Sequence, residues 1–143
     1  PSTINRMIDM GIEPFLVSSS VQLILAQRLV RRVCTKCGEE FRPHPEGLAE
    51  LGVTEEWAAK VTFKKGKGCE ACNGSGYSGR QGLFEVMPVT PAVSRLILDR
   101  ASTEEIRKRA KEEGMLTLRM DGIKKIEKGI TTIEEILRET SAT

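Results

Sequence analysis

The first part of the chain carries apolar residues at helical spacing, followed by a segment that favours a strand. A short helix is predicted at the start, with Ser2 or Thr3 as its cap, Gly11 at its end and one apolar face formed by Ile4, Met7 and Ile8. The serines at 18–20 can cap a second helix, whose predicted apolar face is formed by Val21, Ile24 and Leu25. Residues 28–33 predict a strand that runs into the first cysteine.

Glycine and proline divide the middle of the chain into short elements. Residues 39–42 are predicted to form the return strand of a small hairpin, and residues 61–65 are a further candidate strand. Between them, residues 46–51 and 54–60 predict two short helices. Residues 74–82 contain four glycines, which predicts a turn or an extended loop.

The last part of the chain predicts one strand and four helices. In order, they are a strand at 83–89 and helices with apolar residues at 93–97, 106–110, 116–126 and 133–137. Thr90–Pro91 supplies a cap and a first-turn proline, and Ser102–Glu105 is a capping box. Residues 131–135 contain overlapping capping boxes, and the tail at 140–143 is predicted to fray.

These elements predict an α+β fold that is mostly α-helical and has three regions. Residues 1–33 lead in, residues 34–79 form a cysteine-containing insertion, and residues 80–143 form a strand followed by a bundle of about four helices. Strands at 28–33 and 82–88 are predicted to pair antiparallel. This pairing would put the insertion at the tip of a β-hairpin.

Composition limits the possible classes of protein. The chain has 143 residues, 29% of them charged, and a net charge of +2, which favours neither a nucleic-acid-binding nor a membrane-binding protein. No stretch approaches the roughly 20 apolar residues that span a bilayer, and the start of the chain has no signal-peptide pattern. The first residue is Pro1 rather than methionine, so we expect the chain to be part of a longer protein.

Four cysteines form two C-x-x-C pairs, Cys34 with Cys37 and Cys69 with Cys72. Two intervening residues let both sulfurs of a pair point at one spot, and two such pairs supply the four thiolates that tetrahedral Zn²⁺ prefers. We therefore predict one structural zinc ion bound by all four cysteines, with no open position for a water. The net negative charge of this site would be softened by nearby cations, namely Arg32, Lys36, Lys65 and Lys67.

Three other uses of the cysteines are compatible with the sequence. Two disulfides would need an oxidising compartment, a redox-active C-x-x-C needs no matching second pair, and a rubredoxin-type iron site uses the same ligands. The pairs are separated by residues 38–68, a longer gap than the roughly 15–20 residues of a compact zinc ribbon. Zinc binding, on the order of 10 kcal/mol, would therefore hold together a long region that is poor in apolar residues.

Other motifs give weaker indications of function. Residues 74–79 match G-x-G-x-x-G, but a dinucleotide site needs a helix after this motif and a strand is predicted there. His44, the only histidine, lies between prolines and is predicted to be exposed. The sequence has no G-x-x-x-x-G-K-[ST] phosphate loop, and we predict no catalytic residue in the chain. A basic surface, either solvated or in contact with acidic lipid headgroups or an acidic partner, is predicted from Arg28, Arg31, Arg32, Lys60, Lys64, Lys65 and Lys67.

Several segments resemble one protein family, in order along the chain. Residues 26–34 (AQRLVRRVC) resemble the segment that enters the tetracysteine module of type II secretion and type IV pilus-extension ATPases, and residues 79–86 (GRQGLFEV) resemble the strand that leaves it. Residues 114–122 and 129–136 resemble the C-terminal helical signature of that family. Residues 6–20 resemble the region just after its histidine box.

The resemblance implies that this chain is the C-terminal part of a bacterial hexameric motor. The complete motor would use ATP and Mg²⁺ and be peripheral to the cytoplasmic face of the inner membrane. Its partners would be the other subunits of the homohexamer and inner-membrane platform proteins, and it would drive pilin or pseudopilin assembly and protein export. The nucleotide-binding motifs of the family lie upstream, so residues 1–33 would be the end of the ATPase core. This chain alone is therefore expected to be inactive, and only the zinc role carries over, to the four cysteines.

Two other functions are compatible with the residues. The first is a free-standing zinc-binding module for protein interaction, which the absence of an upstream phosphate loop in the gene would favour. The second is a nucleic-acid-binding zinc module, which salt-dependent binding to DNA would favour. Few aromatic side chains are available to stack on bases, so no specific nucleic-acid partner is predicted.

Overall fold

The computed structural model describes residues 1–140 and has an α+β fold dominated by helices, as predicted. Its elements in chain order are α1 (Ser2–Asp9), α2 (Pro14–Ser20), β1 (Leu23–Val33), β2 (Gly38–Glu40), α3 (Pro45–Leu51), α4 (Glu55–Ala59), β3 (Lys64–Gly66), a 3₁₀ turn (Glu70–Cys72), β4 (Tyr77–Pro88), α5 (Pro91–Leu98), α6 (Thr103–Glu112), α7 (Leu118–Glu127) and α8 (Ile133–Thr140). Within residues 1–140, no helix is long and apolar enough to serve as a membrane span.

Two small sheets organise the strands. Strand β1 pairs with β4 in one sheet, and β2 pairs with β3 in the other. The Val89 N–H donates to the Gln22 carbonyl at 2.9 Å, and the Cys34 N–H donates to the Gly76 carbonyl at 2.9 Å. The start of β1 therefore lies beside the end of β4, and the two strands run antiparallel. This confirms the predicted hairpin with the cysteine-containing insertion at its tip.

The second predicted helix was wrong in position. Helix α2 ends at Ser20 instead of beginning there, and strand β1 starts at Leu23. Pro14 occupies the first turn of α2, where its fixed φ favours helix and its missing N–H costs nothing. Residues 21–25 have apolar side chains at a spacing that either a helix or a strand can use, so periodicity did not distinguish the two.

The predicted strands inside the insertion were partly wrong. Strand β2 does not return along β1, but pairs antiparallel with β3, with Gly38 opposite Gly66. The neighbouring position beside β1 is taken by β4. The glycine-rich segment predicted as a loop contains the start of β4 at Tyr77, and Gly79 lies within that strand at a φ of +79°.

The described chain divides into two compact units, and the division falls within β1 and β4. Unit 1 comprises residues 1–26 and 85–117, and unit 2 comprises residues 27–84 and the chain from residue 118 onward. In unit 1, α1 and α2 pack with α5 and α6 around a core that consists of Ile4, Val17, Met87, Val93, Ile97, Ile106, Ala110 and Met115. The division of the sequence into three regions stays a prediction.

Unit 2 joins the insertion to the last two helices. Helix α7 packs on α8, and α3 of the insertion also packs on α8. The indole N–H of Trp57 donates to Glu127 at 2.7 Å, and the Arg119 side chain donates to the Glu50 carbonyl at 3.3 Å. The four C-terminal helices are therefore shared between the units, with α5 and α6 in unit 1 and α7 and α8 in unit 2.

The starts of α5, α6 and α8 agree with the capping signals of the sequence, but the predicted cap of the first helix was wrong: α1 already begins at Ser2, its N-cap is Pro1, and no side chain caps it. Thr90 caps α5, and Ser102 and Glu105 form the capping box of α6. The Glu135 N–H donates to Thr132 Oγ1 at 3.3 Å at the start of α8. Of the predicted frayed tail, Thr140 is buried as the last residue of α8, and residues 141–143 lie outside the described residues.

Thr90 provides a test of the packing in unit 1. Its Oγ1 accepts the Val93 N–H at 3.3 Å and donates to Glu113 at 2.7 Å. We expect Thr90→Ala to lower the free energy of unfolding by about 1 kcal/mol, because a cap and a link to the end of α6 are lost. Urea unfolding followed by far-UV circular dichroism measures this. Thr90→Ser keeps both hydrogen bonds, so an equal loss in that variant would contradict the capping explanation.

Candidate metal centre

The two cysteine pairs lie in two short loops that the small sheets bring together. The first cysteine loop, residues 34–37, joins the end of β1 to the start of β2. It closes tightly, because the Gly38 N–H donates to the Cys34 carbonyl at 2.8 Å. The second cysteine loop, residues 69–72, contains the 3₁₀ turn between β3 and β4. Since β1 pairs with β4 and β2 with β3, both loops lie at the same end of the insertion.

The four sulfur atoms form one cluster. All four Sγ atoms lie within 4.8 Å of one another. The separation is 3.9 Å from Cys34 to Cys69, 3.8 Å from Cys37 to Cys72 and 3.7 Å from Cys69 to Cys72. A tetrahedral ion with metal–sulfur bonds near 2.3 Å holds its sulfurs about 3.8 Å apart. The geometry therefore fits a tetrahedral four-thiolate metal site.

The same distances exclude disulfides between these residues. A disulfide requires sulfur atoms about 2.0 Å apart, and all four cysteines are free. Cys34 and Cys72 are buried, while Cys37 and Cys69 are half-buried. The metal-binding arrangement predicted from the two C-x-x-C pairs is thus present in the fold.

Backbone N–H groups point at the sulfur atoms and favour the thiolate form. The N–H groups of Cys69 and Gly76 both donate to Cys72 Sγ at 3.2 Å. Chiefly through the Cys69 N–H, and against the effect of burial, the pKa of the Cys72 thiol is lowered to about 6. The N–H groups of Lys36 and Cys37 lower the pKa of Cys34 in the same way.

Cys37 differs from Cys34 and Cys72 in its electrostatics. Burial raises the pKa of its thiol to about 12, although the Gly68 N–H acts in the opposite direction. A cation in the centre of the cluster would reverse this effect, because its charge favours thiolate over thiol. A bound metal ion would therefore favour the thiolate form of Cys37 as well, so that all four sulfurs could act as ligands.

Two of the four cations predicted to soften the charge of the site have carboxylate partners. Lys67 Nζ lies 2.8 Å from Glu39, which raises the pKa of Lys67. Lys65 Nζ lies 3.6 Å from Glu134. Their positive charge is therefore partly neutralised by acidic side chains. Arg31, which was predicted to be part of a basic surface, is likewise paired with Glu135 at 2.7 Å.

Glu135 is a structural residue whose full role the sequence did not indicate. It was predicted only as part of a capping box, yet the residue is 1% exposed in the described structure. The carboxylate accepts the Arg31 backbone N–H at 2.8 Å and two hydrogen bonds from the Arg31 guanidinium at 2.7 and 3.0 Å. Arg138 adds a further bond at 3.1 Å. No local pattern relates residues so far apart in sequence.

The other candidate motifs acquire no functional geometry. His44 is exposed at the start of α3, as predicted. The G-x-G-x-x-G match at 74–79 is followed by the rest of strand β4, so it lacks the helix that a dinucleotide site requires.

Comparison with known proteins identifies the family. The family model described as "Type II/IV secretion system protein" matches residues 1–138. The chain is 44% identical over 137 residues to the type IV pilus assembly ATPase PilB of Thermus thermophilus, covering 96% of this chain and 15% of that protein. It is 41% identical over 142 residues to PilB of Myxococcus xanthus, covering 99% of this chain and 25% of the relative.

A secretion protein matches equally well. The type II secretion system protein E of Pseudomonas aeruginosa is 42% identical over 137 residues, which cover 96% of this chain and 27% of that protein. The chain thus spans only 15% to 27% of the length of these relatives. The match runs through both cysteine loops and the C-terminal helices. The chain therefore belongs to the type II/IV secretion system protein family, as its resemblance to that family indicated.

Proposed function

We propose that this chain is the zinc-binding part of an ATPase that powers type IV pilus assembly or type II secretion. The observation that carries the proposal is the four-sulfur cluster. It lies in a sequence of which 96% aligns with the pilus assembly ATPase PilB and with the type II secretion system protein E. Zinc is the ion that four thiolates in tetrahedral geometry suit best, and four protein ligands leave no position for a catalytic water. The role of the ion is therefore structural.

The complete protein is a homohexameric motor peripheral to the cytoplasmic face of the inner membrane. ATP and Mg²⁺ bind in its remaining sequence, because this chain has no G-x-x-x-x-G-K-[ST] phosphate loop. Its partners are its neighbouring subunits and the inner-membrane platform proteins on which pilins or pseudopilins assemble. The relatives come from both kinds of machine at similar identity, so the proposal covers the function that these machines share.

Within this motor, zinc gives the insertion a fixed shape. Residues 34–79 bury few apolar side chains, chiefly Leu48, Leu51 and Phe63, so the ion supplies stability that the core cannot. Contacts from Trp57 to Glu127 and from α3 to α8 connect the insertion with the C-terminal helices. The metal-bound insertion and the helices thereby form a surface for subunit or platform-protein contacts.

The proposal is tested by metal analysis together with nucleotide hydrolysis. Mass spectrometry of the purified chain should find one zinc per chain, and iron in its place would overturn the choice of metal. The complete protein should release phosphate from ATP, while the 143-residue chain should not. Zinc-dependent hydrolysis by the chain alone, or an inactive complete protein, would contradict the proposed division of roles.

A further inference from the structure

The backbone of Gly76 connects the two cysteine loops. Its N–H donates to Cys72 Sγ in the second loop at 3.2 Å. Its carbonyl accepts the N–H of Cys34, in the first loop, at 2.9 Å. Gly76 is buried and has a φ of +78°, a backbone conformation that costs a residue with a Cβ about 1–2 kcal/mol. A single peptide segment thus contacts one sulfur and the residue that carries another.

Gly66 in strand β3 lies so close to Gly76 that no side-chain atom fits between the two backbones. A Cβ added to Gly66 would lie 2.5 Å from the Gly76 Cα and still closer to the Gly76 carbonyl oxygen. A Cβ added to Gly76 would lie 2.6 Å from the Gly66 carbonyl oxygen. Real Cβ atoms essentially never approach another heavy atom within 3.0 Å. This approach is therefore possible only because both residues are glycines.

Gly66 also connects to a third ligand, Cys37. In the β2–β3 pairing it lies opposite Gly38, and Gly38 directly follows Cys37 in the chain. The next residue, Lys67, donates its N–H to the Cys37 carbonyl at 3.2 Å. The contact between Gly66 and Gly76 therefore relates the position of Cys37 to those of Cys34 and Cys72.

We propose that Gly66 and Gly76 are positioning residues of the metal site, and that their backbone contact sets the spacing of the Cys34, Cys37 and Cys72 sulfurs. This inference rests on the proposed zinc site. Hydrogen bonds and packing around the ligands fix their orientation, and disrupting such surroundings typically lowers metal affinity by about 10- to 100-fold. A side chain at either glycine would separate β3 from the start of β4 and so move Cys37 away from Cys72.

Three alanine variants of the full chain separate the close approach from the backbone conformation. Gly66→Ala introduces the clash alone, since Gly66 does not have a positive φ. Gly74→Ala introduces a positive-φ strain alone, because Gly74 has a φ of +76° and open space around its Cβ position. Gly76→Ala introduces both. Zinc affinity is measured by competition with a chelator, and the visible spectrum of the cobalt-substituted chain reports whether four sulfurs still bind tetrahedrally.

We expect Gly66→Ala and Gly76→Ala to lower zinc affinity about 10- to 100-fold and to weaken the four-sulfur cobalt spectrum, with a smaller effect in Gly74→Ala. If Gly66→Ala does not fold in excess zinc while Gly74→Ala does, the inference is also supported, because binding and folding of such a site are one event. Wild-type affinity in Gly66→Ala, or an equal loss in Gly74→Ala, would overturn it. An unaltered chain that binds no metal would instead overturn the proposed zinc site.

Discussion

Cys69→Ser is expected to abolish stoichiometric zinc binding and to unfold much of unit 2. Cys69 Sγ lies 3.9 Å from Cys34 and 3.7 Å from Cys72, so its loss removes one vertex of the sulfur tetrahedron. Zinc binding contributes on the order of 10 kcal/mol in small structural sites, more than the few buried apolar residues of the insertion can replace. Metal analysis and thermal unfolding, with and without added zinc, measure the effect.

Trp57 reports on this unfolding, because it is the only tryptophan and lies in unit 2. Its ring packs edge-on against Phe63, with ring centroids 5.9 Å apart, and its N–H is bonded to Glu127. Its fluorescence should shift to longer wavelength in Cys69→Ser and, on addition of a chelator, in the unaltered chain. The control Ala71→Ser adds a hydroxyl at an exposed position of the same loop and should retain one zinc.

Hydrogen exchange distinguishes the parts of the chain that depend on the metal. Since α7 and α8 pack within the same unit as the insertion, we expect them to lose protection when zinc is removed, whereas α5 and α6 in unit 1 keep it. Equal loss of protection in α5 and α6 would contradict independent stability of the two units.

Arg31→Ala is expected to lower the free energy of unfolding of unit 2 by about 2–4 kcal/mol. The variant removes both hydrogen bonds from the Arg31 guanidinium to the buried Glu135 carboxylate. The bonds from the backbone N–H of residue 31 and from Arg138 remain. It also removes the guanidinium that lies 4.1 Å above the ring of Tyr77. Urea unfolding followed by Trp57 fluorescence, in saturating zinc, measures the loss.

Arg138→Ala is the matched control, because Arg138 contacts the same carboxylate from a more exposed position. Its side chain is 53% exposed, and a pair of this kind contributes under about 1 kcal/mol. If the two variants lost equal stability, the two-bond pairing of the Arg31 guanidinium with the buried Glu135 carboxylate would not be the source of the effect.

The pH dependence of the Arg31→Ala effect follows from the pKa of Glu135. Burial opposes ionisation of this carboxyl, but the hydrogen bonds and charge of Arg31 outweigh it and hold the pKa below its ordinary 4.5. A carboxyl whose pKa is lowered on folding stabilises the fold above its unfolded pKa and loses that contribution as pH falls through its folded pKa. The difference between Arg31→Ala and the unaltered chain should therefore be constant near neutral pH and shrink below about pH 4.5.

Local signals predicted the parts of the fold that depend on neighbouring residues. The caps at Thr90 and Ser102 and the two C-x-x-C pairs are complete within four residues, and the helices and sulfur cluster agree with them. The hairpin around the insertion was also predictable, because a β-permissive segment flanks each side of it.

Pairings between distant segments could not be predicted in the same way. Strand β2 pairs with β3 rather than with β1, and β3 in turn lies close to Gly76 through Gly66; no periodicity in the sequence reveals either arrangement. The burial of Glu135 depends on Arg31, which lies at the other end of the chain. At the start of β1, the spacing of the apolar residues fits a helix and a strand equally well, so the local pattern could not decide between them.

Each unit consists of two separate stretches of the chain, so neither unit can be completed until its second stretch has been synthesised. Domains generally fold as units during synthesis, from the N-terminus onward. Both cysteine loops are synthesised before α7 and α8, so zinc can be captured by the nascent chain while unit 2 is still incomplete. Unit 1 can close once residue 117 has emerged, whereas Glu135 can reach Arg31 only after α8 has been synthesised.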